Sequence, residues 1–229
     1  MTLEELILQY KIEEYKFYKF QDKDGNEINT HFVFETHGDY LDKYLAFYKN
    51  LPNLTELIVH APDGTFKLTN NGIEYFIRHN HQEVFIDNLG HQRGIEYLIS
   101  KKVRDNLLKR INKVLAATTF DKIIEIVTEC RVKGFGELAI YDTSMRIASY
   151  LNIEPDKVYL HAGTRKGMEI LEIKGYVGIG ISKMKYVETE ILPKELKVLK
   201  AAETEHFLCS MKENMQYLDN CPVKGYLSN

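Results

Sequence analysis

The chain has few cysteines, and none lies in a pair that would bridge or bind: Cys130, Cys209 and Cys221 stand far apart, with no CxxC motif. Neither a disulfide framework nor a thiolate zinc site is expected, and a reducing, cytoplasmic setting fits best. A basic excess is also missing. With 30 Lys and Arg against 33 Asp and Glu the net charge is −3, so any contact with nucleic acid has to rest on a local patch. No apolar run approaches a membrane-spanning length, and the opening MTLEELILQYKIEEYKF has acidic residues where a secretory signal needs a basic end. Neither a membrane partner nor export is expected. Repeats, low-complexity tracts and Pro/Gly/Ser-rich linkers are absent as well.

What is present is a globular composition: 229 residues, 44% hydrophobic and 28% charged, enough for one large core or two small ones. The pattern changes near residue 100, from aromatic-rich alternating segments to amphipathic helices. This predicts an α+β protein, mainly α-helical, with a mixed α/β region over residues 1–99 and a helical domain over 100–229. Upstream, Tyr15–Phe20 and Thr30–Phe34 are β-rich runs around the turn-prone Asp22–Asn26, a predicted hairpin, with a helix following over Asp39–Lys49. Leu57–His60 and Thr65–Leu68 flank Pro62-Asp63-Gly64 as a second predicted hairpin, and a helix is predicted over Asn71–Arg78. The segment Gly64–Gly72 resembles the wing of winged-helix proteins over about ten residues, but Leu51–Leu54 stands where a recognition helix would be needed, and a plain hairpin whose turn residues suit the geometry is the preferred reading.

Beyond residue 100, Val103, Leu107, Leu108, Ile111, Val114 and Leu115 share one helical stripe. Lys101, Lys102, Arg104, Lys109, Arg110 and Lys113 occupy the remaining surface, opposed only by Asp105. Asp121–Cys130 then carries Ile123, Ile124, Ile126 and Val127 at helical spacing. The turn Val132-Lys133-Gly134-Phe135-Gly136 interrupts it before a second helix with Ile140, Ser144, Ile147, Ala148 and Leu151 on one face. A glycine turn opening a helix suits a phosphate. Glycine permits positive φ and close approach, and the helix start offers unpaired N–H groups at the positive end of its dipole.

On Val132, Gly134, Phe135, Gly136 and Ala139, over some forty residues, this segment resembles the helix-hairpin-helix of the DNA glycosylase superfamily to which endonuclease III belongs. The resemblance implies a DNA-binding turn and, in catalytic members, an aspartate shortly after the second helix in a Val-Asp-x-His-like segment. Here the analogous Val158-Tyr159-Leu160-His161 has tyrosine in place of the aspartate, and Asp156 lies three residues earlier, where it also reads as the cap of a following helix. The Schiff-base lysine of bifunctional members is replaced by Leu138, which argues against a lyase step. The catalytic candidates are Asp156, Asp142 and His161, with Tyr141, Tyr159 or His161 lining a pocket for a flipped base.

A second cluster, His161-Ala162-Gly163-Thr164-Arg165-Lys166-Gly167, joins small residues to a hydroxyl, two cations and an imidazole, and could hold an anion. The predicted nucleic-acid contacts are therefore Lys133, Gly134, Phe135, Gly136, Thr164, Arg165 and Lys166, and Asp142 is placed to pair with Arg146 one turn on. His79, His81 and His91 lack a carboxylate or thiolate at supporting spacing, so no metal and no cofactor is expected. The glycines at 175, 178 and 180 read as a turn or short strand, and Phe207, Leu208, Met211, Met215 and Leu218 as a closing core helix. The leading expectation is a protein that binds nucleic acid, DNA first, by holding backbone phosphate. The alternatives are a monofunctional DNA glycosylase-like repair hydrolase using Asp156 or Asp142, and an interaction or regulatory protein in which the hairpin is only a corner.

Overall fold

Local signals decide most elements of the computed structural model, which describes residues 1–221. In chain order they are α1 (Leu3–Ile12), β1 (Tyr15–Gln21), β2 (Glu27–Phe34), α2 (His37–Lys49), α3 (Leu54–His60), β3 (Thr65–Asn70), β4 (Ile73–Arg78), β5 (Phe85–Ile86) and β6 (Gln92–Arg93). There follow α4 (Tyr97–Leu108), α5 (Ile111–Leu115), α6 (Phe120–Cys130), α7 (Glu137–Leu151), β7 (Lys157–Tyr159), α8 (Ala162–Ile173), β8 (Tyr186–Glu188) and α9 (Ala201–Ser210). The strands pair only as two-stranded antiparallel sheets, so the class is α+β with β-hairpins, as the sequence predicts. No helix among the described residues is long and apolar enough to cross a membrane.

The chain forms two compact units. One holds Met1–Glu14, Glu35–Gly38 and the chain from Pro155 onward; the other holds Tyr15–Phe34 and Asp39–Glu154. Neither unit ends near residue 100, where the sequence changes character.

In the unit containing Asp39–Glu154, the first hairpin forms as expected. Asp22 accepts from the backbone N–H groups of Asp24 and Asn26 at 2.9 Å each, closing the turn between β1 and β2. The next elements differ from expectation. Leu57–His60 is helix, not strand, because Asn53 caps α3 by accepting from the Glu56 N–H at 2.9 Å, and Leu54, Leu57 and Ile58 fall on one buried helical face. Residues 73–78 are strand, not helix. Asn71 and Gly72 take positive φ, 51° and 77°, the two-residue turn that sends the chain straight back along β3. The winglike stretch is thus a β-hairpin. The basic amphipathic segment breaks in two at Arg110, whose φ of −116° is not helical, and Leu115, expected on the buried stripe, is 63% exposed. Val103, Leu107 and Val114 are buried as predicted.

In the other unit, Val158, Leu160, Met168, Leu171, Phe207, Leu208, Met211 and Met215 share a core. The predicted closing stripe is buried throughout, although α9 stops at Ser210 and a short 3-10 turn over Asn214–Tyr217 carries its last part. Residues 175–180 form a turn with Gly175 and Gly180 at positive φ, tied to α8 by Glu172, which accepts from the N–H groups of Gly180 and Ser182. Helices α8 and α9 cross at glycines. A Cβ on Gly163 would lie 2.5 Å from Cys209 Sγ, and one on Gly167 would lie 2.3 Å from the Leu208 carbonyl oxygen. Gly167→Ala therefore has to push two backbones apart. It should cost about 1–3 kcal/mol, read as a lowered denaturant midpoint, and an unchanged midpoint would contradict this packing.

Candidate nucleic-acid interface and a buried polar cluster

Helices α6 and α7 form the hairpin that the sequence predicts, packed along their buried faces with Ala139 3% exposed at the crossing. Between them the Phe135 N–H donates to the Val132 carbonyl at 3.0 Å, and the Phe135 ring is buried. The two glycines of the turn have different reasons. Gly134 has φ +94°, which calls for glycine, and a Cβ there would sit 2.6 Å from the terminal Cδ1 of Ile99, a side chain that could shift. Gly136 has neither constraint. As the residue preceding α7 it has an ordinary extended backbone, φ −84° and ψ −178°, and a Cβ there would meet nothing within 4 Å. No side chain caps α7, a helix of 15 residues. Its start thus faces open space. Lys101, Lys102, Arg131 and Lys133 are exposed, as is Glu137 in the first turn of α7. Ile99 over Gly134, and Asn106 donating to the Cys130 carbonyl at 3.1 Å, dock α4 against the hairpin. Arg110 and Lys113 are partly neutralised by Glu129, at 3.7 and 3.6 Å.

One and a half turns into α7, a polar cluster is built in the core. Arg146 has no exposed surface. Its guanidinium donates to the Tyr44 hydroxyl through Nε, to the Ala61 carbonyl through Nη1 at 2.7 Å and to Gln82 Oε1 through Nη2 at 2.8 Å. The Tyr44 and Tyr48 rings lie 5.7 and 5.8 Å from its central carbon. Burial raises the Tyr44 phenol well above its ordinary value despite the cation beside it, which keeps this hydroxyl neutral and able to accept. Gly64, at φ +70°, makes room: a Cβ there would be 2.6 Å from Gln82 Oε1 and 3.1 Å from Arg146 Nη2.

Asp142 lies one turn earlier. Its Oδ2 is 3.0 Å from His81 Nδ1, accepts from Gln82 Nε2 at 3.1 Å, and is 3.6 Å from Arg146 Nη2, so the pairing of Asp142 with Arg146 predicted from the sequence is present as a looser contact. Burial opposes its ionisation, but the His81, Arg146 and His79 rings and cation around it prevail and hold the carboxyl well below the usual carboxylate range. His79 is also pushed down, but by burial first, with His81 and nearby cations, so its ring is held neutral well below the ordinary histidine range. Its Nδ1 accepts from the His81 N–H at 3.2 Å. His79, His81 and Asp142 offer donor atoms that all lie within 4.8 Å of one another. The carboxylate that sequence spacing could not supply comes from α7, 61 residues after His81. His91, grouped with the histidines by sequence, is on an exposed loop beside Asp87, at 3.7 Å.

The remaining predicted site residues, Tyr141 apart, belong to the other unit. Asp156 is exposed and precedes strand β7, so no helix follows for it to cap. Arg165 is turned inward, where its guanidinium donates to the carbonyls of Ser182 at 2.7 Å, Met184 at 3.0 Å and Leu160 at 2.7 Å. Thr164 is buried, its Oγ1 accepting from the His161 N–H at 2.8 Å at the start of α8. His161 is buried with Nε2 2.7 Å from a Glu205 oxygen. Lys166 is exposed and approaches Glu213 at 3.9 Å. What comes close to the small residues Gly163 and Gly167 is helix α9. Of the predicted pocket tyrosines, Tyr141 is buried edge-on to Phe120 and Tyr159 lies against Tyr186.

Sequence reasoning missed Tyr44 and Gln82 altogether, read Gly64 only as a turn residue and gave Arg146 only its helical partner. Helical spacing gave no signal for its burial, because the residues three and four away from Arg146 are Asp142, Thr143, Ser149 and Tyr150, a polar face. Compared with protein-family models, curated proteins and solved structures, the chain matches none.

Arg146→Met keeps most of the side-chain volume but strips the Tyr44 hydroxyl, the Ala61 carbonyl and Gln82 of their common donor. It should cost about 3–5 kcal/mol in denaturant unfolding, the scale of breaking a buried ionic network. A loss within about 0.5 kcal/mol would contradict the role given to Arg146.

Proposed function

We propose that this protein binds nucleic acid through the backbone, with a phosphate held at the start of α7 in the helix-hairpin-helix turn. The observation that carries the reading is the freedom at Gly136. Neither backbone conformation nor packing calls for glycine there, yet the missing side chain leaves a clear approach to the uncapped helix start. Such a terminus attracts phosphate oxygens through its N–H groups and dipole. Lys133 within the turn, with Arg131, Lys101 and Lys102, supplies the positive surround that a net charge of −3 does not. Contacts of this kind position a strand without reading its sequence. The protein is therefore proposed as a backbone binder, DNA first, with its likeness to DNA glycosylases confined to the hairpin. Lys133 and the glycine turn are its proposed contacts; Thr164 and Arg165, whose polar groups are spent inside their own unit, are not.

Gly136→Val fits the observed backbone and the open space beside it, so it should fold, with stability lowered by no more than about 1 kcal/mol because valine is the poorer residue before a helix. It should weaken binding of a labelled DNA duplex in fluorescence anisotropy by about tenfold, or 1.4 kcal/mol. Lys133→Ala should lower the slope of log K against log salt by about 1. Glu137→Gln, which removes the one acidic group from the first turn, should tighten binding. No binding of duplex or single strand at low salt, or a Gly136→Val variant that binds as the wild type does, would overturn the reading.

A further inference from the structure

We propose that His79, His81 and Asp142 form a binding site for a late first-row divalent metal ion, independent of the phosphate-binding turn. Two imidazoles and one carboxylate, from the β4–β5 connection and α7, place three donor atoms within 4.8 Å of one another. His81 Nδ1 and Asp142 Oδ2 form a hydrogen bond of 3.0 Å, and a cation about 2.1 Å from each would hold them about 3.0 to 3.4 Å apart at octahedral to tetrahedral angles. That pair thus stands near the spacing of one edge of a coordination shell, and the His79 donor lies within 4.8 Å of both.

The surroundings leave the carboxylate available. Arg146, the nearest cation, spends its Nε, Nη1 and Nη2 donors on Tyr44, Ala61 and Gln82, and approaches Asp142 only to 3.6 Å. Gln82 donates to the same Asp142 oxygen at 3.1 Å and would fix its direction as an outer partner. His81 is 33% exposed and Asp142 11%, so one side of the cluster opens to solvent and leaves coordination positions for water. A donor set of two nitrogens and one oxygen suits Zn2+, Co2+, Ni2+ or Fe2+ better than Mg2+ or Ca2+, which take oxygen ligands. With three protein ligands and open positions, the site has the form in which a metal polarises bound water.

The test is a titration of the untagged 229-residue chain with Co2+, read by visible d–d absorption and by metal content after gel filtration. The expected result is one Co2+ per chain, displaced by Zn2+. His81→Gln, at a half-exposed position that should tolerate the change, is expected to weaken binding by at least about 100-fold. His91→Gln is expected to leave it unchanged. Absence of bound Co2+ in the wild type, unaltered binding by folded His81→Gln, or an anomalous Co2+ peak away from His79, His81 and Asp142 in a soaked crystal would each overturn the proposal. DNA binding by the metal-free protein bears only on the turn, so the two readings fail separately.

Discussion

The Arg146 guanidinium is the constraint on which the unit formed by Tyr15–Phe34 and Asp39–Glu154 depends. A cation with no exposed surface is tolerated only if its donors are met, and they are met by α2 through Tyr44, by the end of α3 through the Ala61 carbonyl, and by the segment after β4 through Gln82. Satisfying one side chain therefore fixes three separate stretches of chain against α7. The glycine at 64 follows from the same requirement, since any side chain there would strike Gln82 and the guanidinium. The Tyr44 phenol stays neutral for a different reason, since burial outweighs the pull of the guanidinium beside it.

Helix α7 thereby acts as a spine with different tasks along its length. Its first turn emerges from the Gly134–Gly136 corner, its second and third turns carry Asp142 and Arg146 into the polar cluster, and it ends at Asn152 in the left-handed conformation that closes helices. A helix start anchored a few residues away by a buried ionic network is a rigid platform. That rigidity is what backbone recognition needs, since the N–H groups must already point outward when a phosphate arrives. Phe135 adds to it by plugging the turn into the core, while Gly134 lies flat on Ile99.

How far this was legible in the sequence depends on whether the determining contacts are local. The hairpin α6–α7, the first β-hairpin and the closing stripe from Phe207 to Leu218 were readable because periodicity and turn residues lie within each segment. The exchange of helix and strand at residues 54–78 had local causes too, the Asn53 cap and the Asn71-Gly72 turn, but short apolar runs fit either period. The polar cluster was not readable. Asp142, His81, Gln82 and Tyr44 meet across up to a hundred residues, and nothing in their spacing announces it. The glycines of His161–Gly167 looked like a ligand cradle because glycine permits close approach; which group approaches, an anion or α9, is a tertiary fact.

The central claim is that the chain meets nucleic acid at the hairpin, through the amides at the start of α7. The most direct measurement is a backbone amide NMR titration of the protein with a short DNA duplex at low salt. The account predicts that the largest shift changes fall on residues 132–138, with smaller ones at Lys101 and Lys102. Changes concentrated elsewhere, with the Gly134–Leu138 amides unmoved while DNA is bound, would contradict it.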